Sequence, residues 1–314
     1  MHRILIFVAF TLLCMTSVSV IADEHDSMKA VLVTGASSGI GEKITETLAN
    51  NGFYVYATAR KDEDLERLDA MENVSSVRLD VTIPEQVNAA AAFVESQGRG
   101  LWGVVNNAGV AFYGPLSDGP ESELMLTFDI NVYGPYRVNR AFLPMLIASG
   151  GRTTTISSIS AFIPGNSGSY SMSKAAVEGY TDTLANELEP KGVHVSAVEP
   201  GAFKSEIVDK LKARAFELAE SGEMELDEDT RKALEESAAN RQTMKEPTEV
   251  AEAVLTLMTT DNPKRRYMVT PNAEQADITI RSAMQRMLEL NEDQPYEYDR
   301  EGLIKMLDEL LAEE

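Results

Sequence analysis

From Lys29 onward, short apolar runs alternate with longer amphipathic stretches. Ala30-Val31-Leu32-Val33 has no polar interruption, the pattern of a strand buried on both faces. A Gly/Ser-rich turn follows it, then helical periodicity through Asn50. Phe53 to Ala57 and Val77 to Asp80 read as further strands with a helix-like segment between them. Pro84 to Gln97 reads as a helix with proline in its first turn, and Gly103 to Val105 as a fourth strand. Thr153 to Ser157 and Val193 to Val198 supply two more, each after a long helical stretch. Strand, helix, strand at this spacing predicts right-handed crossovers and a doubly wound parallel sheet, an α/β fold of three layers.

Two segments depart from the alternation. Residues 202–246 follow a Pro-Gly turn, are helical and heavily charged, and form an insert suited to covering a substrate cleft. Residues 273–314 read as a helical extension of the domain at 29–272. Within that extension a polar linker at 291–302 precedes Leu303, Ile304, Leu307, Leu310 and Leu311. The helical spacing of this stripe predicts a terminal helix docked on its own domain, with a partner surface as the alternative.

The first 27 residues stand apart. Arg3 precedes an apolar run from Ile4 to Leu13, and Val20-Ile21-Ala22 lies before Asp23-Glu24, which fits a signal peptide at residues 1–22 cleaved after Ala22. Residues 4–22 are also nearly long enough for an uncleaved membrane anchor, and Met28 directly before the first strand is an alternative start. A buried core element is the remaining reading. The first two place the protein in an exported or membrane-attached setting, the third in the cytoplasm.

Composition narrows the chemistry. The 314 residues carry 28 Lys+Arg against 50 Asp+Glu, a net charge of −22, which argues against nucleic acid as a partner. Cys14 is the single cysteine and His2, His25 and His194 are the only histidines, so neither a disulfide framework, nor a cysteine or histidine metal site, nor a His-dependent triad is expected.

Thr34-Gly35-Ala36-Ser37-Ser38-Gly39-Ile40-Gly41 follows a strand and opens a helix. Glycines there let backbone approach a pyrophosphate, and a helix N-terminus offers unpaired N–H groups and the positive end of its dipole. An ordinary tight turn would use the same residues, but the strand–turn–helix frame favours a dinucleotide. At the end of the second strand an NAD-selective site wants a carboxylate for the ribose hydroxyls. Ala57-Thr58-Ala59-Arg60 has none there, and the Arg60 guanidinium suits a 2′-phosphate, so NADP (NADPH) is expected in preference to NAD.

In these residues and the motifs that follow them, the chain from Lys29 to Asn272 resembles the classical short-chain dehydrogenase/reductase (SDR) family. The resemblance rests on an ordered set: the glycine motif, Asp80-Val81, Asn106-Asn107-Ala108-Gly109, Asn131-Val132-Tyr133-Gly134, Tyr170-Ser171-Met172-Ser173-Lys174 and Pro200-Gly201. It implies a Rossmann-like fold, a nicotinamide cofactor, a homo-oligomer and interconversion of an alcohol with its ketone or aldehyde. It further implies cofactor contacts from Gly35, Ser37, Ser38, Gly39, Ile40 and Gly41, from Asp80 and Val81 at the adenine, and from Asn107, Ala108 and Gly109 at the ribose. Tyr170 and Lys174 would also touch the cofactor, and Pro200, Gly201 and Phe203 would lie near the nicotinamide.

Tyr170 and Lys174 are four apart and so share a helix face. A free tyrosine has a pKa of about 10, and a nearby ammonium and an oxidised nicotinamide both favour phenolate, so Lys174 is expected to draw the tyrosine down. Spacing alone does not decide, because Tyr56/Arg60, Tyr133/Arg137, Tyr136/Arg140 and Tyr296/Arg300 share it. The resemblance places a carbonyl-polarising serine at the end of the fifth strand. The second of the Ser157-Ser158 pair selects Ser158, whereas the family's usual spacing from the tyrosine would select Ser157; Ser158 is taken here. Asn131 matches the asparagine that holds a water relay to the lysine, with a structural cap as its alternative. Ala111-Phe112-Tyr113, Phe162-Ile163-Pro164 and the insert's Met and Leu residues suggest an apolar pocket. Residues 264–271 and the Arg60 environment look like the retinol and hydroxysteroid dehydrogenase branch, which implies a small but bulky hydrophobic alcohol or carbonyl substrate. The competing readings are a non-catalytic NADP-binding regulator and a sugar-nucleotide epimerase or dehydratase.

Overall fold

The computed structural model describes residues 28–112, 114–117, 119–163 and 168–312. The expected leader at 1–22 therefore lies outside the described residues, as do Tyr113 and Pro164.

The first half runs β1 (Lys29–Val33), α1 (Gly39–Ala49), β2 (Phe53–Ala59), α2 (Asp62–Asp69), β3 (Val74–Arg78), α3 (Pro84–Ser96) and β4 (Gly103–Asn106). Then come α4 (Glu121–Phe128), a π-helical turn (Asp129–Tyr133), α5 (Gly134–Ser149), β5 (Arg152–Ile156), a 3-10 turn (Ile159–Ala161), α6 (Gly168–Leu188) and β6 (His194–Pro200). Helices α7 (Ile207–Ser221), α8 (Glu228–Gln242) and α9 (Thr248–Thr259) lead to β7 (Arg266–Val269), α10 (Ala273–Asn291) and α11 (Arg300–Ala312). The sheet is parallel and seven-stranded, in the order β3-β2-β1-β4-β5-β6-β7. This is a Rossmann-like α/β fold.

Alternation along β1 explains the three layers. Val31 and Val33 point into a core with Ile44 and Leu48 of α1, Leu68 of α2, and Val250, Val254 and Leu257 of α9. Ala30 and Leu32 point into a second core with Val87 and Val94 of α3, Val138, Phe142 and Leu146 of α5, and Leu188 of α6. Both faces of the strand are thus removed from water, each large apolar side chain contributing roughly 1.5–3 kcal/mol. β1 pairs with β2 on one side and β4 on the other, so the strand order reverses between β1 and β4. A crevice opens at that reversal, outside the carboxyl ends of the strands, where such sheets bind ligands.

Two expectations are corrected, and one strand was not foreseen. β3 is Val74–Arg78 rather than Val77 to Asp80, which leaves Asp80 just beyond the strand end and free to face the crevice. β7 was not legible, because Arg266-Tyr267-Met268-Val269 is a short, half-exposed edge strand without an apolar run. The leucine stripe of α11 does not dock on its own domain: α11 buries no residue, and Leu307, Leu310 and Leu311 are all exposed. Among the described residues, no helix is long and apolar enough to cross a membrane.

Candidate active site

The glycine loop between β1 and α1 holds its shape through backbone geometry and one asparagine. Gly35 has φ +65°, a conformation that an L side chain adopts only at a cost, and a Cβ there would stand 2.9 Å from Ala108 Cα. At Gly41 a Cβ would come within 2.3 Å of both the Gly35 carbonyl oxygen and Asn107 Nδ2. Asn107 Nδ2 donates to the Thr34 and Gly35 carbonyls, each at 2.9 Å, and Thr34 Oγ1 accepts from the Asn107 and Ala108 amides at 3.0 Å. Asn107 therefore spends its side-chain donor on bracing the loop, so its expected contact with a ribose falls to the rest of the Asn107-Ala108-Gly109 turn. Ser38, the N-cap of α1, makes no side-chain cap, which leaves the helix's first N–H groups to an incoming anion. These observations fit a dinucleotide pyrophosphate.

The sites expected of the adenosine end line the same groove, which encloses about 430 Å³. Asp80 accepts from the Thr82 amide at 2.9 Å and the Thr82 hydroxyl at 2.7 Å. Burial tends to raise the Asp80 carboxyl, but the Thr82 hydrogen bonds and the Arg60 charge outweigh it and leave it below the usual carboxylate range. Arg60 Nη1 stands 3.6 Å from Asp80 Oδ2, with the Arg60 side chain 68% exposed. It is a guanidinium at the groove mouth, loosely held and able to turn to a phosphate. Ser37, Gly39, Ile40, Val81, Ala108 and Gly109 line the groove with them, and Pro200, Gly201 and Phe203 line its other end.

At that other end, α6 presents Tyr170 and Lys174. Of the Tyr/basic pairs spaced by four, this is the one with both members in the groove. Lys174 is buried and donates from Nζ to the Ile156 carbonyl at 2.7 Å. Burial draws its pKa down to about 8, against the opposing pull of Glu178 one turn on. Lys174 Nζ lies 5.5 Å from the Tyr170 ring centroid. Part of Tyr170 opens on the groove, yet burial of its hydroxyl pushes the phenol above its ordinary pKa, while Ser158 and Arg241 draw it back. The expectation that Lys174 would lower this tyrosine is not met in the protein alone: desolvation of the phenolate dominates, and the cation that draws it down is Arg241. The neutral phenol that results is the form able to give a proton.

Ser158 is the serine that faces Tyr170. It caps the 3-10 turn, its Oγ accepting from the Ser160 amide at 3.1 Å, and it draws the Tyr170 pKa down. Ser157 is buried, donates its amide to Val198 at 2.7 Å, and its Oγ has no partner among the described residues. Successive side chains on extended backbone alternate in direction, so the two hydroxyls cannot serve together. Ser158→Ala is expected to lower kcat on the order of a hundredfold, and Ser157→Ala by much less. Turnover assays of the two variants side by side check this, and the reverse ranking would transfer the role to Ser157.

Asn131 lies in the π-helical turn, a departure from α geometry often found at functional sites. Its Oδ1 accepts from the Val110 amide and its Nδ2 donates to the Val110 carbonyl and to Ser173 Oγ, each at 2.9 Å. Ser173 Oγ in turn donates to the Tyr170 carbonyl at 2.7 Å. Asn131 therefore ties the loop after β4 to the helix that bears Tyr170 and Lys174. Ser173 went unnoticed in the sequence, although its place between the two in Tyr170-Ser171-Met172-Ser173-Lys174 was a signal.

The apolar stretches divide. Ala111 lines the groove with Leu211 of the insert. Phe112 is buried, and Phe162 instead offers its carbonyl to Ser282 of α10 at 2.7 Å. Helices α7 and α8 pack on each other through Leu211, Ala215 and Leu234 and border the groove, to which α8 contributes Arg241, also unnoticed in the sequence.

Comparison with known proteins agrees with this geometry. Residues 29–215 match the family model described as short chain dehydrogenase. The chain is 37% identical over 187 residues to the uncharacterized oxidoreductase YbbO of Escherichia coli K12, a match covering 58% of this chain and 69% of that one. A short-chain dehydrogenase from Streptomyces avermitilis superimposes with TM-score 0.70 and 30% identity, covering 85% of this chain and 96% of the other. One from Burkholderia cenocepacia, solved with NADP, gives TM-score 0.65 and 26% identity, covering 86% of this chain and 99% of the other.

Proposed function

We propose that this chain, which belongs to the short-chain dehydrogenase family and is an oxidoreductase of that family, interconverts an alcohol and its carbonyl with NADP, Tyr170 acting as the general acid and base. The observation that carries this reading is the convergence of Tyr170, Ser158 and Lys174 at one end of a groove whose other end is the uncapped α1 N-terminus. When bound, the nicotinamide supplies or accepts the hydride. The protein's residues do the rest. Ser158 orients the carbonyl oxygen and polarises it. The neutral Tyr170 phenol gives that oxygen its proton in reduction and takes it back in oxidation. Lys174 holds the cofactor ribose and supplies the positive charge that makes a transient phenolate affordable. Asn131 positions this pair through Ser173 and Val110; a water relay from Asn131 to Lys174 belongs to the same proposal.

Val110, Ala111, Ile159, Phe203, Val208 and Leu211 make much of the catalytic end apolar. That supports a small molecule with a substantial hydrophobic part, the kind of substrate handled by the retinol and hydroxysteroid branch. The direct test follows NADPH oxidation over a panel of hydrophobic ketones and aldehydes, with wild type beside Tyr170→Phe. Turnover absent from wild type despite tight NADPH binding would favour a cofactor-sensing protein instead.

The NADP preference rests on Arg60. Arg60→Ala is expected to weaken NADPH on the order of ten- to a hundredfold, the loss of charge-assisted bonds to one phosphate, and to leave NADH nearly unchanged. The ratio of kcat/KM for the two cofactors checks it, and an unaltered ratio would remove Arg60 from the phosphate site.

A further inference from the structure

Arg241 stands in the last turn of α8 and lines the groove near Tyr170, whose hydroxyl feels its charge. It is partly buried. A guanidinium withdrawn from water normally stands against a carboxylate, because an unpaired buried charge is costly. Several arginines of this chain obey that rule, and Arg152, more deeply buried, is satisfied instead by the Leu257 and Thr260 carbonyls, each at 2.6 Å. Arg214 reaches Glu123 at 2.7 Å and Glu217 at 2.8 Å, Arg266 reaches Asp182 at 2.8 Å and Glu178 at 3.0 Å, and Arg137 reaches Asp129 at 2.5 Å. Arg241 has no such partner among the described residues. Its contact is from Nη1 to Met244 Sδ at 3.6 Å, and a thioether is a weak acceptor.

Acids of the adjoining helix are committed elsewhere. Asp209 Oδ2 accepts from Gln242 Nε2 at 2.5 Å, and Glu206 pairs with Lys210 at 3.0 Å. In a chain with 50 acidic residues against 28 basic ones, a guanidinium that lines the groove and meets no carboxylate among the described residues is suited to an anion from outside. The cofactor's phosphates are an unsuitable occupant, since the glycine loop, Ser38 and Arg60 already serve the far end of the groove.

We propose that Arg241 binds the carboxylate of the substrate, and that the substrate is an oxo or hydroxy carboxylic acid. Its carbonyl would meet Tyr170 and Ser158, its acid group Arg241, and its carbon chain Val208 and Leu211. This rests on reading the groove as a carbonyl-reducing site, and it refines a hydrophobic substrate into an amphipathic one. The planar guanidinium suits a carboxylate through two parallel hydrogen bonds, which lysine cannot reproduce.

The test compares 4-oxopentanoate and 5-oxohexanoate with their methyl esters, in wild type, Arg241→Gln and Arg241→Lys. Wild type is expected to prefer the acids in kcat/KM. In Arg241→Gln that preference should fall on the order of ten- to a hundredfold, through the KM of the acids, with lysine restoring part of it. Any influence of Arg241 on Tyr170 would lower kcat for acid and ester alike and so does not imitate this result. The second readout is binding of each acid to the NADPH complex of Tyr170→Phe, with and without Arg241→Gln, followed by titration calorimetry. Acid that binds in an Arg241-dependent way without turnover in wild type would uphold the carboxylate site and overturn the proposed reaction. Turnover of esters with no preference for acids would uphold the reaction and overturn the site. Weakened NADPH binding with an unchanged acid-to-ester ratio would make Arg241 a cofactor ligand, and acids that neither bind nor react would overturn the proposal.

Discussion

Tyr170→Phe is expected to lower kcat on the order of a thousandfold while NADPH binding and folding stay near wild type. The phenyl ring keeps the volume that Tyr170 fills, so no cavity opens. The lost hydroxyl leaves Ser158 with its Ser160 amide contact, so no buried group is newly orphaned. Only the proton is gone. Without it, hydride arriving at a carbonyl carbon would have to generate an alkoxide with Ser158 and water as the remaining donors. Steady-state kinetics with an NADPH fluorescence titration reads both quantities. Turnover at the wild-type rate would take the general acid away from Tyr170, and lost NADPH binding would make Tyr170 chiefly a cofactor ligand.

Lys174→Met should show an opposite pattern in stability and a similar one in activity. Turnover is expected to fall on the order of a hundredfold or more, because in the proposed mechanism Lys174 would both hold the ribose and support the phenolate. Stability is expected to rise. A lysine whose folded pKa lies at about 8 against an ordinary 10.5 costs the folded state about 3 kcal/mol wherever both folded and unfolded chains carry the charge. That cost is present in full below pH 8. It is relieved between about 8 and 10.5, where the native lysine has lost its proton and the unfolded one has not. Methionine removes the charge at every pH, though it leaves the Ile156 carbonyl without the 2.7 Å donor it had. A net gain of about 1–3 kcal/mol at pH 7, shrinking towards pH 10, is the expected result of urea unfolding across pH. The same titration bears on wild-type activity: reduction should decline as the pH passes about 8, while the phenol, held above its ordinary pKa, stays protonated. A variant less stable than wild type at every pH would contradict the burial cost assigned to Lys174.

Much of this architecture was legible in the chain because its strands are buried on both faces. Val31, Leu32 and Val33 are apolar without interruption, since each side of β1 meets a core, and the intervening helices repeat their apolar positions against one face or the other. The chemistry at the glycine loop was legible for a similar local reason: the backbone at Gly35 and Gly41 admits no side chain, so the residue type itself records the geometry. Tyr170 and Lys174 were legible by helical spacing together with their place in the ordered set of motifs.

What the sequence by itself determined, then, is whatever depends on neighbours a few residues away: the strand and helix alternation, the glycine turn, the shared face of Tyr170 and Lys174. The tertiary structure alone decided what depends on distant chain segments and on exclusion from water. It placed β7 on the sheet edge through pairing with β6 rather than through its own apolar character. It brought Ser158 close enough to act on Tyr170, and set the tyrosine pKa by burial against the pull expected of Lys174. It left the α11 stripe exposed. It also carried Arg241, some 70 positions along the chain, into the groove beside Tyr170, a proximity no local pattern encodes. Periodicity reports which face of an element is dry, but a charge's partner and its desolvation are properties of the assembled interior.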